Sequence, residues 1–400
     1  MSNPNFYDRA ARLGHSADAL KAGHAISSEI MVPNLEELKK LLDDGSTDEQ
    51  RADTGQSLLS GSNDNDGDPQ HSLLRRVGAH ILGNAALSAE DAEMLNQAFP
   101  LKVMAQSAEK MDYKPGENNL GTSKLIITCN YGKVTLPDTG YITVYNSTLS
   151  YTMQDFVRQG SPPSGFGDFN IFGVTGGVGT TGDAGATGGT GSTGAGGNCS
   201  SAGIAGKSGE NGKKGDDGKT GGVGSTGGTG LPSMPATIKI ENSIDVKNGN
   251  IIIYSRSGAG GQGGTGGTGG KGGKGGDGGN GATCGCTGSA CGNGNNGGVG
   301  GNGGNGGQGG NGIDGSGKIN ILVPKKYTGI IQKVYGEAVP GNGGTGGKAG
   351  SGGDKGYRGS NGKHNSGGSD GNAGGNGNDG NKGGTGSYTG KAAEIVVQPI

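Results

Sequence analysis

The sequence predicts a mostly irregular and β fold. Its main body is a polyglycine-II helix bundle of six helices, paired as three hairpins, that emanates from a small β-sheet unit and carries a small helical N-terminal region. Three observations predict it. Stretches 173–230, 258–317 and 341–390 place glycine at every third position, contain no proline, and hold most of the 97 glycines. A three-residue glycine period suits a three-residue helical turn with one bare edge. Without proline to pre-set φ, such a chain needs sideways hydrogen bonds from its neighbours. Runs of β-branched and aromatic residues separate the stretches, so each glycine arm leaves a strand and returns to one.

Residues 1–110 read as a helical docking region. Asn34 is placed to cap a helix over 35–42 that puts Leu35, Leu38, Leu41 and Leu42 on one face. Ser88 and Asp91 form a capping-box-like start for 89–98, and Pro100 follows. Segment 43–70 is acidic and rich in Ser, Gly and Asn, which predicts a flexible linker. The run Asp64-Asn65-Asp66-Gly67-Asp68 lacks the bidentate carboxylate that an EF-hand register requires, so no calcium loop is read there. Residues 111–172 read as strands at 124–129, 133–136, 141–146 and 148–153. Strands at 237–255, 319–335 and 394–397 complete the unit.

Each arm loses its glycine phase near the middle, at 198–202, 282–296 and 363–370, which predicts a turn back. Runs of about 20–27 residues rising about 3.1 Å each would span roughly 60–80 Å. The second arm repeats Gly-Gly-X, with two bare edges, and is placed centrally. The first is mostly Gly-X-X and is placed outside.

Composition narrows the function. Hydrophobic residues make up 29%, aromatics 4%, and Trp is absent, so any core is small and lies outside the arms. A net charge of −2 argues against a general nucleic-acid role. No apolar run is long enough for a membrane span. The N-terminus shows no basic stretch followed by an apolar core, so no signal peptide is recognised. Gly206-Lys207-Ser208 and Gly218-Lys219-Thr220 imitate the end of a phosphate loop but lack its earlier glycine and its helix. His15, His24, His71 and His80 have no nucleophile or ligand partner in a recognisable setting. No enzyme, cofactor or metal site is read.

The chemistry that stands out lies in the turns. Cys199, Cys284, Cys286 and Cys291 all sit where the glycine period breaks, and hairpins of similar length would bring them to one tip. Two disulfides, one joining the arms and one local, are expected there. Free thiols or a zinc site with His364 are the alternatives, although Cys-x-Cys-x4-Cys is not a standard zinc spacing. Cys129 lies in an apolar run and reads as a buried thiol. The turn residues Asn198, Ser200, Thr287, Asn293, Tyr357, Arg358, Lys363 and His364 are the candidate binding residues, since turns escape the glycine constraint.

The proline-free Gly-X-X and Gly-Gly-X runs of 173–390 resemble the polyglycine-II sandwiches of two groups. These are the tip adhesins of T-even-like phage tail fibres and the snow-flea antifreeze proteins. The resemblance rests on repeat style, and residues 1–172 match neither group. It implies an adhesin-like protein that binds a cell-surface receptor or glycan through its tip loops, with the N-terminal region attached to a larger fibre or particle. The implied setting is extracellular or on a virion or particle surface. An ice-binding protein using Thr175, Thr181, Thr187, Thr190 and Thr193 is one alternative. A secreted toxin with a glycine-rich receptor-binding rod is another.

Overall fold

The computed structural model describes residues 5–43, 47–59, 76–81, 83–123, 126–247 and 249–400. The chain opens with α1 (Phe6–Arg12) and α2 (Ala17–Lys21), followed by β1 (Ile26–Val32), α3 (Leu35–Leu41), α4 (Asp48–Leu59) and α5 (Ala89–Asn96). Asn5, Ser16, Asn34 and Ser88 cap α1, α2, α3 and α5 by accepting backbone N–H groups of the first turn. The 64–68 run lies outside the described residues, and α4 occupies part of the segment read as linker.

Next come β2 (Leu101–Asp112), β3 (Gly116–Thr122), β4 (Ile126–Leu136), β5 (Gly140–Tyr145), β6 (Thr148–Arg158) and β7 (Phe169–Phe172). After the first arm lie β8 (Ala236–Val246) and β9 (Ile251–Arg256). The second arm contains the two-residue strands β10 (Thr283–Cys284) and β11 (Thr287–Gly288). Beyond it are β12 (Lys318–Val323) and β13 (Ile331–Gly336), and β14 (Glu394–Pro399) follows the third arm.

From β2 onward, leaving aside the small β10–β11 hairpin, successive strands alternate between two sheets. One is seven-stranded, ordered β1-β2-β4-β6-β8-β12-β14; the other is five-stranded, ordered β13-β9-β7-β5-β3. Every pairing within them is parallel except β1 with β2, so the chain coils between two faces and advances one strand per circuit. Residues of period two point between the sheets: Ile127, Cys129 and Tyr131 of β4, Leu149, Tyr151 and Met153 of β6, and Ile319 and Ile321 of β12 meet Ile142, Phe169 and Ile253. Burial pushes the Cys129 thiol up to about 12, so it stays protonated. At one corner, buried Arg158 pairs with Asp168 (2.5 Å) and donates to Leu136, Pro137 and Gly140 carbonyls, while Asp168 also accepts Ile252 N–H. Burial pushes the Asp168 carboxyl up, and the Ile252 N–H and Arg158 hold it down.

The N-terminal helices cover the outer face of the seven-stranded sheet. Arg9 of α1 makes a two-bonded pair with Glu241 of β8 and donates to Asn130 of β4 (3.0 Å). His15 is buried between Ser107 and Ser28, and burial lowers its pKa.

This architecture corrects the expected fold class. The regular elements define an α/β fold, 13% helical, on a seven-stranded mixed sheet and a five-stranded parallel sheet, and not a polyglycine helix bundle on a small β unit. The glycine repeats dominate composition, yet they form neither α-helix nor sheet. The core belongs to strands whose partners lie a full circuit away in sequence. Residues 1–110 are also less helical than read, since they supply β1 and most of β2. The break expected between strands 124–129 and 133–136 is absent, and Asn130, Tyr131 and Gly132 lie inside continuous β4.

The glycine arms leave the five-stranded sheet and return to the seven-stranded one, and their backbones are bonded to one another. N–H groups of the glycines at every third residue from Gly173 to Gly197 donate to carbonyls from Arg256 to Asn280, at 2.7–2.9 Å. The pairing continues the β7–β9 ladder, where Phe172 faces Arg256. The second arm lies between the others: Gly264 donates to Ser225 of the first arm, Gly266 to Thr345 of the third, and Gly304 to Gly267 within the second. A Cβ added at Gly304 would stand 1.9 Å from Gly222 O, and at Gly270 2.0 Å from Ala186 O. At Gly375 and Gly384, on the outer flank of the third arm, it would meet nothing within 4 Å.

Gly304→Ala is therefore expected to lower the melting temperature sharply, because displaced backbones leave amides unpaired at about 1–3 kcal/mol each. Gly384→Ala is expected to be neutral or to stabilise by about 0.4–1 kcal/mol through the unfolded chain. Thermal unfolding of the two variants checks the contrast.

Candidate functional site

The three arms reverse at one common end, and the turns touch. Asn198 closes the first turn by accepting Lys207 N–H (2.8 Å), and Ser200 donates to Ile204 O (3.1 Å). Thr287, in β11 of the second turn, accepts Ala205 N–H (3.1 Å) and so ties the first turn to the second. Lys363 N–H donates to Thr283 Oγ1 (3.2 Å), and Asn365 donates to Gly288 O (2.7 Å), tying the third turn to the second. His364 adopts a left-handed φ of 55° at that turn.

The cysteines divide differently from the expectation of two disulfides. Cys199 and Cys284 form the inter-arm bond, 85 residues apart in sequence. Closing so long a loop constrains the unfolded chain and contributes about 2–4 kcal/mol. There is no local second bond: Cys286 is an exposed thiol in the outer turn between β10 and β11, and Cys291 is buried and donates to Gly367 O (3.1 Å). Cys286 lies in the exposed β10–β11 turn, whereas Cys291 follows β11 and packs against the third turn at Gly367, so the two face different neighbours. With Cys199 and Cys284 bonded to each other, the zinc alternative loses two of its thiolates.

Asn293, Tyr357 and Arg358 lie one level below the turns. Asn293 Oδ1 accepts Ser369 N–H (2.8 Å), as Asn302 does from Asn378 and Asn305 from Asn381. Outward N–H groups that find no neighbouring carbonyl are thus met by an Asn or Asp on the adjacent segment, which explains why these residues fill the X positions. Asn293 is part of this rail. Tyr357 is exposed, with Lys274 and Lys355 over its ring at 5.6 and 5.1 Å, and its N–H donates to Asp277. Arg358 N–H donates to Asp370 (3.0 Å).

Charge changes along the arms. Below the turns, Lys214, Lys271, Lys274, Lys348 and Lys355 each pair with an aspartate. At the distal end, segments 195–209, 278–293 and 359–369 contain no Asp or Glu but carry exposed Lys207 and Lys363 as well as His364, with exposed Arg358 at the rim. Lys207, read as part of a phosphate-loop imitation and as a charge that interrupts an ice-like face, lies outside the candidate binding set. The carboxylate-free stretches 195–209, 278–293 and 359–369, bounded by Glu210, Asp277 and Asp370, were the signal that could have found it. Comparison with protein-family models, curated proteins and solved structures finds no match for this chain.

Asp217, Asp277, Asp370 and Asp379 each accept a backbone N–H and pair with a lysine, and the backbone bond first and the lysine second hold their carboxyls below the usual range. A carboxyl depressed in the folded state stabilises it above the unfolded value of about 3.9, and that contribution is lost as pH falls through the depressed values. The melting temperature is expected to fall as pH drops below about 4, and less steeply in a variant with Asp217, Asp277, Asp370 and Asp379 all changed to Asn. Calorimetry across pH checks it.

Proposed function

We propose that this protein is a non-enzymatic surface-recognition protein whose distal turns bind an anionic cell-surface glycan. The carrying observation is the pair of exposed lysines at the tip, Lys207 and Lys363, which form no ion pair with a described carboxylate, at the far end of arms in which Lys214, Lys271, Lys274, Lys348 and Lys355 each pair with an aspartate. Cations held at an exposed end attract a polyanion and weaken with added salt. Exposed Asn198, Ser200 and Thr287 supply the polar surface that sugar hydroxyls need, and the disulfide and inter-turn bonds limit the entropy lost on binding. The adhesin-like reading of the glycine repeats agrees with this arrangement. In it, the N-terminal region joins the arms to a larger fibre or particle at an extracellular surface.

Immobilised polysialic acid, hyaluronate and neutral dextran, together with phosphatidylserine vesicles, separate the possibilities. Binding to the acidic glycans is expected, with loss at high salt. The Lys207→Gln/Lys363→Gln double variant should weaken it roughly tenfold, from two exposed charge contacts. Replacing 363–370 by a Gly-Ser turn should abolish it with folding intact. Equal retention on dextran, or capture by vesicles alone, contradicts the proposal.

A further inference from the structure

The arms contain many Asn-Gly steps, the sequence most prone to spontaneous deamidation. In that reaction the glycine backbone nitrogen attacks the Asn side-chain Cγ, ammonia leaves, and water opens the resulting succinimide to aspartate or isoaspartate. Two things oppose it: an amide N–H already donated to a carbonyl, and a side-chain oxygen already held. Both brakes are present at Asn302, whose Oδ1 accepts Asn378 N–H (2.9 Å) while Gly303 N–H donates to Asn378 O (2.8 Å). Asn305, Asn296 and Asn211 repeat this with Asn381, Asn372 and Asn293. Asn361 and Asn376 are held at both points as well.

Asn342-Gly343 differs. Asn342 is exposed, and among the described residues its side chain accepts no bond and Gly343 N–H finds no acceptor. The partner segment explains it: where Asn376 and Asp379 meet the outward N–H groups of Gly352 and Ala349, the residues continuing that row are Lys382 and Thr385, which have no amide or carboxylate oxygen to offer.

We propose that Asn342 is the modification site of the glycine arms: it deamidates in the folded protein while the other arm Asn-Gly steps are protected. Asn342 O accepts Gly263 N–H (2.8 Å) and Gly341 donates to Gly310 O (2.8 Å), so the site lies at the entry of the third arm. Isoaspartate there lengthens the main chain by one carbon and shifts the phase of the glycines that follow, loosening that arm from the second.

The experiment holds the full chain at mildly alkaline pH and maps peptides by mass spectrometry over time, natively and in denaturant. In the native protein, conversion at Asn342 is expected to outrun Asn302 and Asn305 roughly tenfold, since each of two hydrogen bonds slows the others several-fold. In denaturant the rates should converge, and Asn342→Gln should remove the leading native product. Native conversion of Asn302 or Asn305 as fast as Asn342 overturns the proposal. So does persistence of Asn342 while the denatured chain converts.

Discussion

The hydrogen bond from a glycine N–H to the carbonyl of the next segment is the interaction on which the arms depend. It requires backbones so close that a Cβ at Gly264 or Gly304 would stand 1.9 Å from an oxygen. The bond is ordinary, about 0.5–1.5 kcal/mol net. Its effect comes from repetition and from the register that permits it. That register is inherited: β7 and β9 pair with Phe172 opposite Arg256, and one residue later Gly173 N–H donates to Arg256 O, beginning a series that reaches Gly197 and Asn280. The sheets position the arms, and the arms extend the sheets' pairing into sequence that could not build a core.

That division explains where side chains can do anything. Edges facing a neighbour must be glycine, and the remaining X positions face outward. Many of those are occupied in turn by Asn and Asp that meet the leftover N–H groups, as Asn305 meets Asn381 and Asp379 meets Ala349. Lysines also occupy outward positions along the arms, but the arm cysteines, with Lys207, Lys363 and His364, sit where the segments reverse. The concentration of chemistry at 198–209, 282–291 and 358–368 follows from the geometry of the arms.

Much of this was legible in the sequence, and what was not has physical causes. A glycine period held through Gly173–Gly197 and again from Gly203 marks segments whose neighbours approach closely, and Gly-Gly-X marks the arm with neighbours on more sides. β-Branched runs such as 251–255 and 319–323 announced their strands. β3 was missed because Gly116-Glu117-Asn118-Asn119 has poor strand propensity and is held by pairing to β5. β1 was missed because Ile26–Val32 alternates weakly beside two short helices and pairs with a strand far along the chain. Fold class was misjudged because partnership between distant strands leaves no local trace, whereas a repeat does. At the tip, cysteine positions pointed to a disulfide, but they did not tell that Cys286 would sit exposed in the β10–β11 turn while Cys291 is buried against Gly367.

Residue-resolved native-state hydrogen exchange tests most directly whether the arms are held by their backbones. The amides of Gly264, Gly267, Gly304 and Gly307 should exchange as slowly as those of Ile238 in β8 and lose protection together with it as denaturant rises. The amide of Gly343, which has no acceptor among the described residues, should exchange quickly. Protection confined to the strands, with the arm glycines exchanging at the rate of an unstructured peptide, would contradict the account.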